Sequence, residues 1–393
     1  MTLQELGRTL GVEVKGDADY AILGVRDVEC LSSGQLPEEN HLYFVESKAV
    51  LKRHPLMADH GAVLTTKQLS GQFHRALISS EDVRLAFIEV LKIFDKAPAF
   101  EPGISSAAKV DPSARIAESS AILPGAVVMA NAVIEPGCVL YPGSVVEPYA
   151  EVGEGTVLYP CAVVGHHCVV GKHCIIYGGA VIGADGFGYY DRPGQRHKIP
   201  QIGNVVISDY VEIGAGCTID RATIESTTIG TYTKIDDQVH IGHNCRIGRF
   251  IYIIGNTAIG GSVVIEDGAM ISGMVIVKDH VRVAKGSGVM GMSGLAQDTE
   301  PGQAYFGTPA LPAREAHKMH AALRRLPDLI TKVRRLEAQL LAEKRSGGEL
   351  QPPPFFRISQ ILPCLDDFRT SLTGSQATDY SLPWQAAPRP RRE

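Results

Sequence analysis

The chain has 393 residues, enough for two or three domains and a large buried core. Its net charge is −5 and only 21% of its residues are charged, which excludes the basic field that nucleic acid requires. Forty-one glycines beside 6% aromatics suit a solenoid with many corners better than a globular enzyme core. The eight cysteines contain no C-x-x-C pair and read as reduced, buried filler. Residues 1–14 lack the charged and apolar regions of a signal peptide, and no apolar run approaches the roughly 20 residues of a membrane span. The expectation is a cytoplasmic protein without a transmembrane segment.

The first hundred residues, 1–100, read as a small α/β domain. Thr2 and Glu5 form a capping box that opens a helix ended by Gly11. Strands are expected at Ala21–Val28, Leu42–Val45, Ala62–Thr65 and Arg75–Ile78. Helices are expected at Lys48–His54 and at Asp82–Phe94, the latter with Leu85, Ile88, Leu91 and Ile93 as its apolar face. Such a domain either grips part of a substrate or caps its neighbour. Ala97–Gly103, rich in Pro and Gly, reads as a linker.

From Val110 an aliphatic residue recurs every six positions through Ile116, Ile122, Val128, Ile134, Leu140, Val146, Val152, Leu158, Val164, Val170 and Ile176 to Ile182. The register breaks, resumes at Ile207, Ile213 and Ile219, slips by four residues that include Asp220-Arg221, and then runs unbroken from Ile229 to Val289. Neither a helix nor a simple two-faced strand has period six. Three short strands per turn, each six residues long, do have it. The expected architecture over 107–300 is therefore mainly β: a parallel β-helix of hexapeptide repeats, about nine coils and on the order of 43 Å tall. The break throws out a loop, residues 183–200, and long excursions from a regular scaffold are commonly functional. His240-Ile241-Gly242-His243-Asn244 is the densest titratable group on the coil.

After Pro301–Pro312 leaves the coil, helices are expected over 313–346: one at Arg314–Leu326, and a second begun by Pro327 with Leu326, Ile330, Val333, Leu336 and Leu340 as an apolar stripe. That stripe packs within the chain or forms a seam between subunits. Residues 347–393, with Pro352-Pro-Pro354, read as a weakly structured tail without an assigned role.

Four stretches carry a resemblance. The run from Gly203 to Ala222, the segment Lys234-Ile-Asp-Asp-Gln-Val-His-Ile-Gly-His-Asn244, Gly183-Ala-Asp-Gly-Phe-Gly188, and Gly307-Thr-Pro-Ala-Leu-Pro-Ala-Arg314 resemble bacterial UDP-3-O-acylglucosamine N-acyltransferases of lipid A synthesis. The likeness spans roughly residues 1–345. It implies a left-handed coil, a homotrimer, and transfer of a 3-hydroxyacyl chain from acyl carrier protein to the 2-amine of a UDP-linked, 3-O-acylated glucosamine, with no cofactor and no metal. The family's uracil-binding pattern, Phe-x-x-Asn-x-x-Tyr, falls here on Phe44, Ser47 and Val50, so only the first aromatic remains.

Amide formation from a thioester needs a base for the attacking amine, donors for the oxyanion and a groove for the acyl chain. A histidine has the pKa for the first task. Carried over by motif, His243 is the general base and His280 the second active-site histidine. Their separation, one residue more than two eighteen-residue coils, independently sets them on one face about 10 Å apart. Asp236 is a candidate to orient an imidazole or to cap a turn, and Phe187 to cover the sugar or acyl site. Met290 and Met292 read as core filling ahead of groove lining. His166, His167, His173 and His240 read as solvated corner residues. The alternatives are O-acyl or N-acetyl transfer on a related nucleotide sugar, a zinc hydratase on the same coil, and a purely structural solenoid.

Overall fold

The computed structural model describes residues 1–32 and 34–345, and for 340–345 the backbone alone. The tail at 347–393 and the side chain of Leu340 lie outside the described residues. The chain divides between Glu101 and Pro102 into two compact units.

In the first unit, β1 (Glu13–Gly16), β2 (Gly24–Arg26), β3 (His41–Val45), β4 (Ala62–Thr66) and β5 (Ala76–Ser80) form one sheet in the order β1-β5-β4-β3-β2, parallel except for β1. Helices α1 (Leu3–Leu10), α2 (Lys48–Arg53) and α3 (Val83–Ile93) complete it. The capping box is present, with Thr2 Oγ1 accepting from the Glu5 N–H at 3.2 Å and Glu5 Oε2 from the Thr2 N–H at 2.7 Å. One strand goes unread and one expectation fails. Strand β1 carries no apolar alternation and escapes sequence reading, and α3 buries Val83, Ala86 and Val90 instead of the expected face. Leu85, Ile88, Leu91 and Ile93 point to solvent, because the sheet meets α3 through small and β-branched residues.

In the second unit the six-residue period becomes three sheets traversed in turn, parallel except for the last pair of the third, where Ala304–Phe306 meets Leu311–Pro312 antiparallel. Face I has ten strands from Lys109–Val110 to Gly294–Leu295, face II nine from Arg115–Ile116 to Arg282–Val283, and face III twelve from Gly103–Ile104 to Leu311–Pro312. In the regular coils each strand residue pairs with the one eighteen positions on, as Val127 does with Val145 and Val133 with Glu151. The aliphatic line from Ile229 to Val289 is buried throughout, no member more than 3% exposed. A second inward line, two residues earlier in each strand, holds small side chains such as Ala162, Cys168, Cys174, Cys217 and Cys245, since alternate strand residues share a face. The cysteine reading thus holds for the coil interior, while Cys30 and Cys161 are exposed.

Both irregularities of register open at one corner, between faces I and II. Val170 pairs with Ile207 across the long loop, and Ile207 with Ile229 across the four-residue slip. The loop is a β-hairpin, Tyr189–Arg192 against Gln195–Lys198, turned by Pro193-Gly194 with Gly194 at φ 77°.

Helix α4 (Ala313–Arg345) is one helix of 33 residues with Pro327 inside it, where two helices are expected. Pro327 removes one backbone bond, to the Leu323 carbonyl, and the exposed strong helix formers on either side keep the helix continuous. Met290 and Met292 are surface residues, 38% and 73% exposed, because they occupy an outward corner rather than the inward line.

Candidate active site at the histidine corner

Six of the ten face I strands end in a two-residue turn whose second member has left-handed backbone. Asn244, Ser262 and His280 occupy that position in successive coils, at φ 60°, 59° and 61°. The Ser262 N–H donates to the His243 carbonyl at 2.8 Å and the His280 N–H to the Gly261 carbonyl at 3.0 Å. His243 and His280 therefore stand two coils apart on one corner, as their spacing implies.

The half-buried His243 ring is held between two glycines. A Cβ on Gly261, one coil on, would lie 2.8 Å from His243 Nε2. A Cβ on Gly186, in the inserted loop, would lie 2.7 Å from His243 Cβ and 3.0 Å from its Cδ2. The loop is thus brought against the histidine, and Phe187 follows the contact point, 85% exposed and edge-on to Tyr189. His280 is also largely exposed.

Arg221 ties the neck of this loop. Only 2% exposed, it donates from Nε to the Gly183 carbonyl at 2.8 Å and from Nη1 to the Gly203 carbonyl at 3.3 Å, one on each side of the excursion. Its Nη1 also reaches His166 Nδ1 at 3.1 Å, and Asp185 lies 3.8 Å away while pairing with Lys198. Partial burial and the Arg221 charge hold the His166 imidazole below its ordinary pKa. Gln201 pins the loop's return, its Oε1 accepting from Thr223 Oγ1 at 2.8 Å and its Nε2 donating to the Ile199 carbonyl at 3.0 Å.

His240 is exposed as expected but stands on a strand rather than at a corner: it begins a face I strand beside Asp220, with Nε2 and Oδ2 3.8 Å apart and Thr218 Oγ1 2.9 Å from its Nδ1. Asp220 is 7% exposed. Burial raises its pKa, opposed by the charges of His240 and His243. Asp236 lies on a different corner, between faces III and I, where Oδ2 accepts the Gly255 N–H at 3.0 Å. Within one chain it caps a turn and is not brought to His243. In the first unit, Phe44 stacks on Phe87 with centroids 4.4 Å apart, and both line a pocket of about 460 Å³ with Val25, Arg26, Asp27, Val28 and Leu91. Ser47 caps α2, its Oγ accepting the Val50 N–H at 3.3 Å.

Sequence reading missed Phe87, Gln201, Asn244 and Gly261 as parts of these sites. For Gly261 a signal exists: it lies eighteen residues after His243.

Comparison with known proteins narrows the alternatives. A model described as bacterial transferase hexapeptide (six repeats) matches residues 149–184, and one described as GMPPB C-terminal domain matches 197–287. A UDP-3-O-acylglucosamine N-acyltransferase of Pseudomonas paraeruginosa is 36% identical over 347 residues, 88% of this chain and 96% of its own. The chain belongs to the UDP-3-O-acylglucosamine N-acyltransferase family. Its relative of that name from Rhizobium meliloti is 56% identical over 135 residues, 34% of this chain and 38% of its own. Among solved structures, a UDP-N-acetylglucosamine acyltransferase of Francisella novicida is 30% identical with a TM-score of 0.43, covering 53% of this chain and 69% of its own. The protein is therefore an N-acyltransferase on a parallel hexapeptide β-helix, and family membership sets aside the zinc hydratase and the purely structural solenoid. Among the described residues, no helix is long and apolar enough to cross a membrane.

Proposed function

We propose that this enzyme transfers a 3-hydroxyacyl chain from acyl carrier protein to the 2-amine of UDP-3-O-acylglucosamine in the cytoplasm, giving the UDP-2,3-diacylglucosamine precursor of lipid A. The observation that carries this reading is His243, in the family motif and clasped between Gly186 of the loop and Gly261 of the next coil. In the proposed step the amine nitrogen attacks the thioester carbonyl carbon as His243 Nε2 takes its proton. The tetrahedral intermediate then collapses, the C–S bond breaks, and the departing thiolate takes the proton from the imidazolium. His280 contacts the sugar or polarises the carbonyl. The aromatic pair Phe44–Phe87 supports a stacking place for the uracil ring, with Phe87 standing in for the aromatic missing at Val50.

Two features support a homotrimer. Met319, Leu323, Leu326, Ile330 and Val333 recur at alternating four- and three-residue steps along α4, each at least 44% exposed in the single chain, which is the spacing of a coiled-coil seam. Phe187 and His280 stand on an open ridge, so a neighbouring subunit would wall the site.

Purified protein incubated with acyl carrier proteins of graded 3-hydroxyacyl length and UDP-3-O-acylglucosamine should yield the N-acylated product, read by mass spectrometry. Transfer of acetyl from acetyl-CoA with all acyl carrier proteins inert would establish the N-acetyltransferase alternative instead. Acylation of a sugar hydroxyl would establish the O-acyltransferase.

A further inference from the structure

The four-residue slip between Ile219 and Ile229 has no part in the reaction as described above. It bulges the corner at residues 221–225, one coil before His243, and what the bulge touches is Asn244. The Thr223 N–H donates to Asn244 Oδ1 at 3.0 Å, and Asn244 Nδ2 donates to the Ile224 carbonyl at 3.0 Å. The Asn244 N–H is held as well, donating to Thr227 Oγ1 at 2.9 Å. A backbone N–H only donates and a carbonyl only accepts, so these partners settle which end of the amide is oxygen. That oxygen faces the bulge and His243 together, 3.0 Å from His243 Nδ1.

An amide oxygen at hydrogen-bonding distance from an imidazole nitrogen requires the proton on that nitrogen. We infer that Asn244 is a positioning residue that holds neutral His243 in its Nδ1–H tautomer and leaves the Nε2 lone pair free to take a proton. This rests on the reading of His243 as the base. The free nitrogen is the one over Gly261, where the absent Cβ leaves it room. The slip is thus the device that fixes the tautomer, because a coil in strict register would have no extra N–H and carbonyl to clamp the Asn244 amide. Left-handed backbone alone does not demand asparagine: the equivalent positions hold Tyr149, His167, Ser262 and His280.

The test uses the full chain with nitrogen-15 in its histidines and long-range proton–nitrogen spectra recorded where imidazoles are neutral. His243 is assigned by the peaks lost in His243→Gln. The expected wild-type pattern is a pyrrole-type Nδ1 and a pyridine-type Nε2. Asn244→Gly keeps the left-handed backbone and removes the acceptor. It should give mixed tautomers and lower kcat by about tenfold or more with KM little changed. Asn244→Asp keeps an oxygen toward Nδ1 and should retain the tautomer and recover part of kcat, although it loses the bond to Ile224. A wild-type Nε2–H pattern overturns the inference, as does an Asn244→Gly protein that keeps both tautomer and kcat. Equal losses in the Gly and Asp variants, with the tautomer unmoved, would reduce Asn244 to a structural role and overturn it too. If His243→Gln turns over normally, the base assignment fails, and the spectra still report the tautomer on their own.

Discussion

Two corners of the same coil, built from the same backbone, have gone different ways. Between faces II and III the left-handed positions hold His173, Tyr210, Tyr232 and Phe250, whose rings stack at 5.1, 4.9 and 5.1 Å with planes 25°, 8° and 12° apart. That spacing is close to the rise between coils, so rings carried at this position by successive coils stack on one another. Ion pairs flank it: Lys172 with Glu154, Lys234 with Glu212, and Arg249 with Asp267. Between faces I and II the same backbone holds Asn131, Tyr149, His167, Glu225, Asn244, Ser262 and His280, and only Tyr149 and His167 stack. Both departures from register emerge at this second corner, and the aromatic column runs past them undisturbed. Regularity lets side chains satisfy one another. The broken corner leaves them free to meet the loop and the bulge.

The largest effect should come from adding one methyl group at the broken corner. Gly261 has ordinary backbone, so Gly261→Ala is tolerated by the coil, but its Cβ would meet His243 Nε2 at 2.8 Å. Displacing the imidazole should cost about 10²-fold in kcat with the melting temperature little changed. Gly288→Ala, whose Cβ would meet Ala304 at an unstrained 4.0 Å, is the matched control and should be silent in turnover. Next is the neck of the loop. Arg221→Met leaves the Gly183 and Gly203 carbonyls without their donor and should destabilise by about 2 kcal/mol or more while lowering turnover, measured by denaturant melts and rate on one preparation.

At the regular corner the sign of the comparison reverses. Tyr232→Ala removes a ring stacked on both sides and should cost about 1 kcal/mol of stability with turnover unchanged. A further effect concerns the interior both corners share. Burial pushes the thiols of Cys138, Cys174 and Cys217 up to about 11 and that of Cys245 to about 12. Unfolded thiols ionise first, near about 8.5. The unfolded state therefore releases protons that the fold retains, and stability should fall as pH rises from there toward those values, not rise. At neutral pH, alkylation of native protein should mark Cys30 and Cys161 and spare these four, as peptide mass mapping would show.

Much of the fold was legible because its cause is local and repeated: an aliphatic residue every six positions is the coil, and each lapse marks an excursion. The N-terminal domain was legible less evenly. The apolar residues of α3 lie on its solvent side, so reading burial from composition chose the wrong face. Pro327 reads as a boundary in sequence, yet one missing hydrogen bond does not end a long exposed helix. At the site, the spacing of His243 and His280 was readable as a multiple of the coil, and so was the position of Gly261. The contacts of Gly186, Gln201 and Thr223 were not, since a loop's path across its own coil follows no period. Asp236 shows the converse: it adjoins the histidine motif in sequence, and one strand's length carries it to another corner.

The most direct test of the claim that the broken corner carries the chemistry is turnover and melting temperature of His243→Ala beside His240→Ala. His243 is off the inward aliphatic line, and general-base loss typically costs about 10² to 10⁴ in rate. The expected result is that collapse in His243→Ala with the melt nearly unmoved, and a mild change in His240→Ala. Near-normal turnover in His243→Ala, with the loss falling on His240→Ala instead, would contradict it.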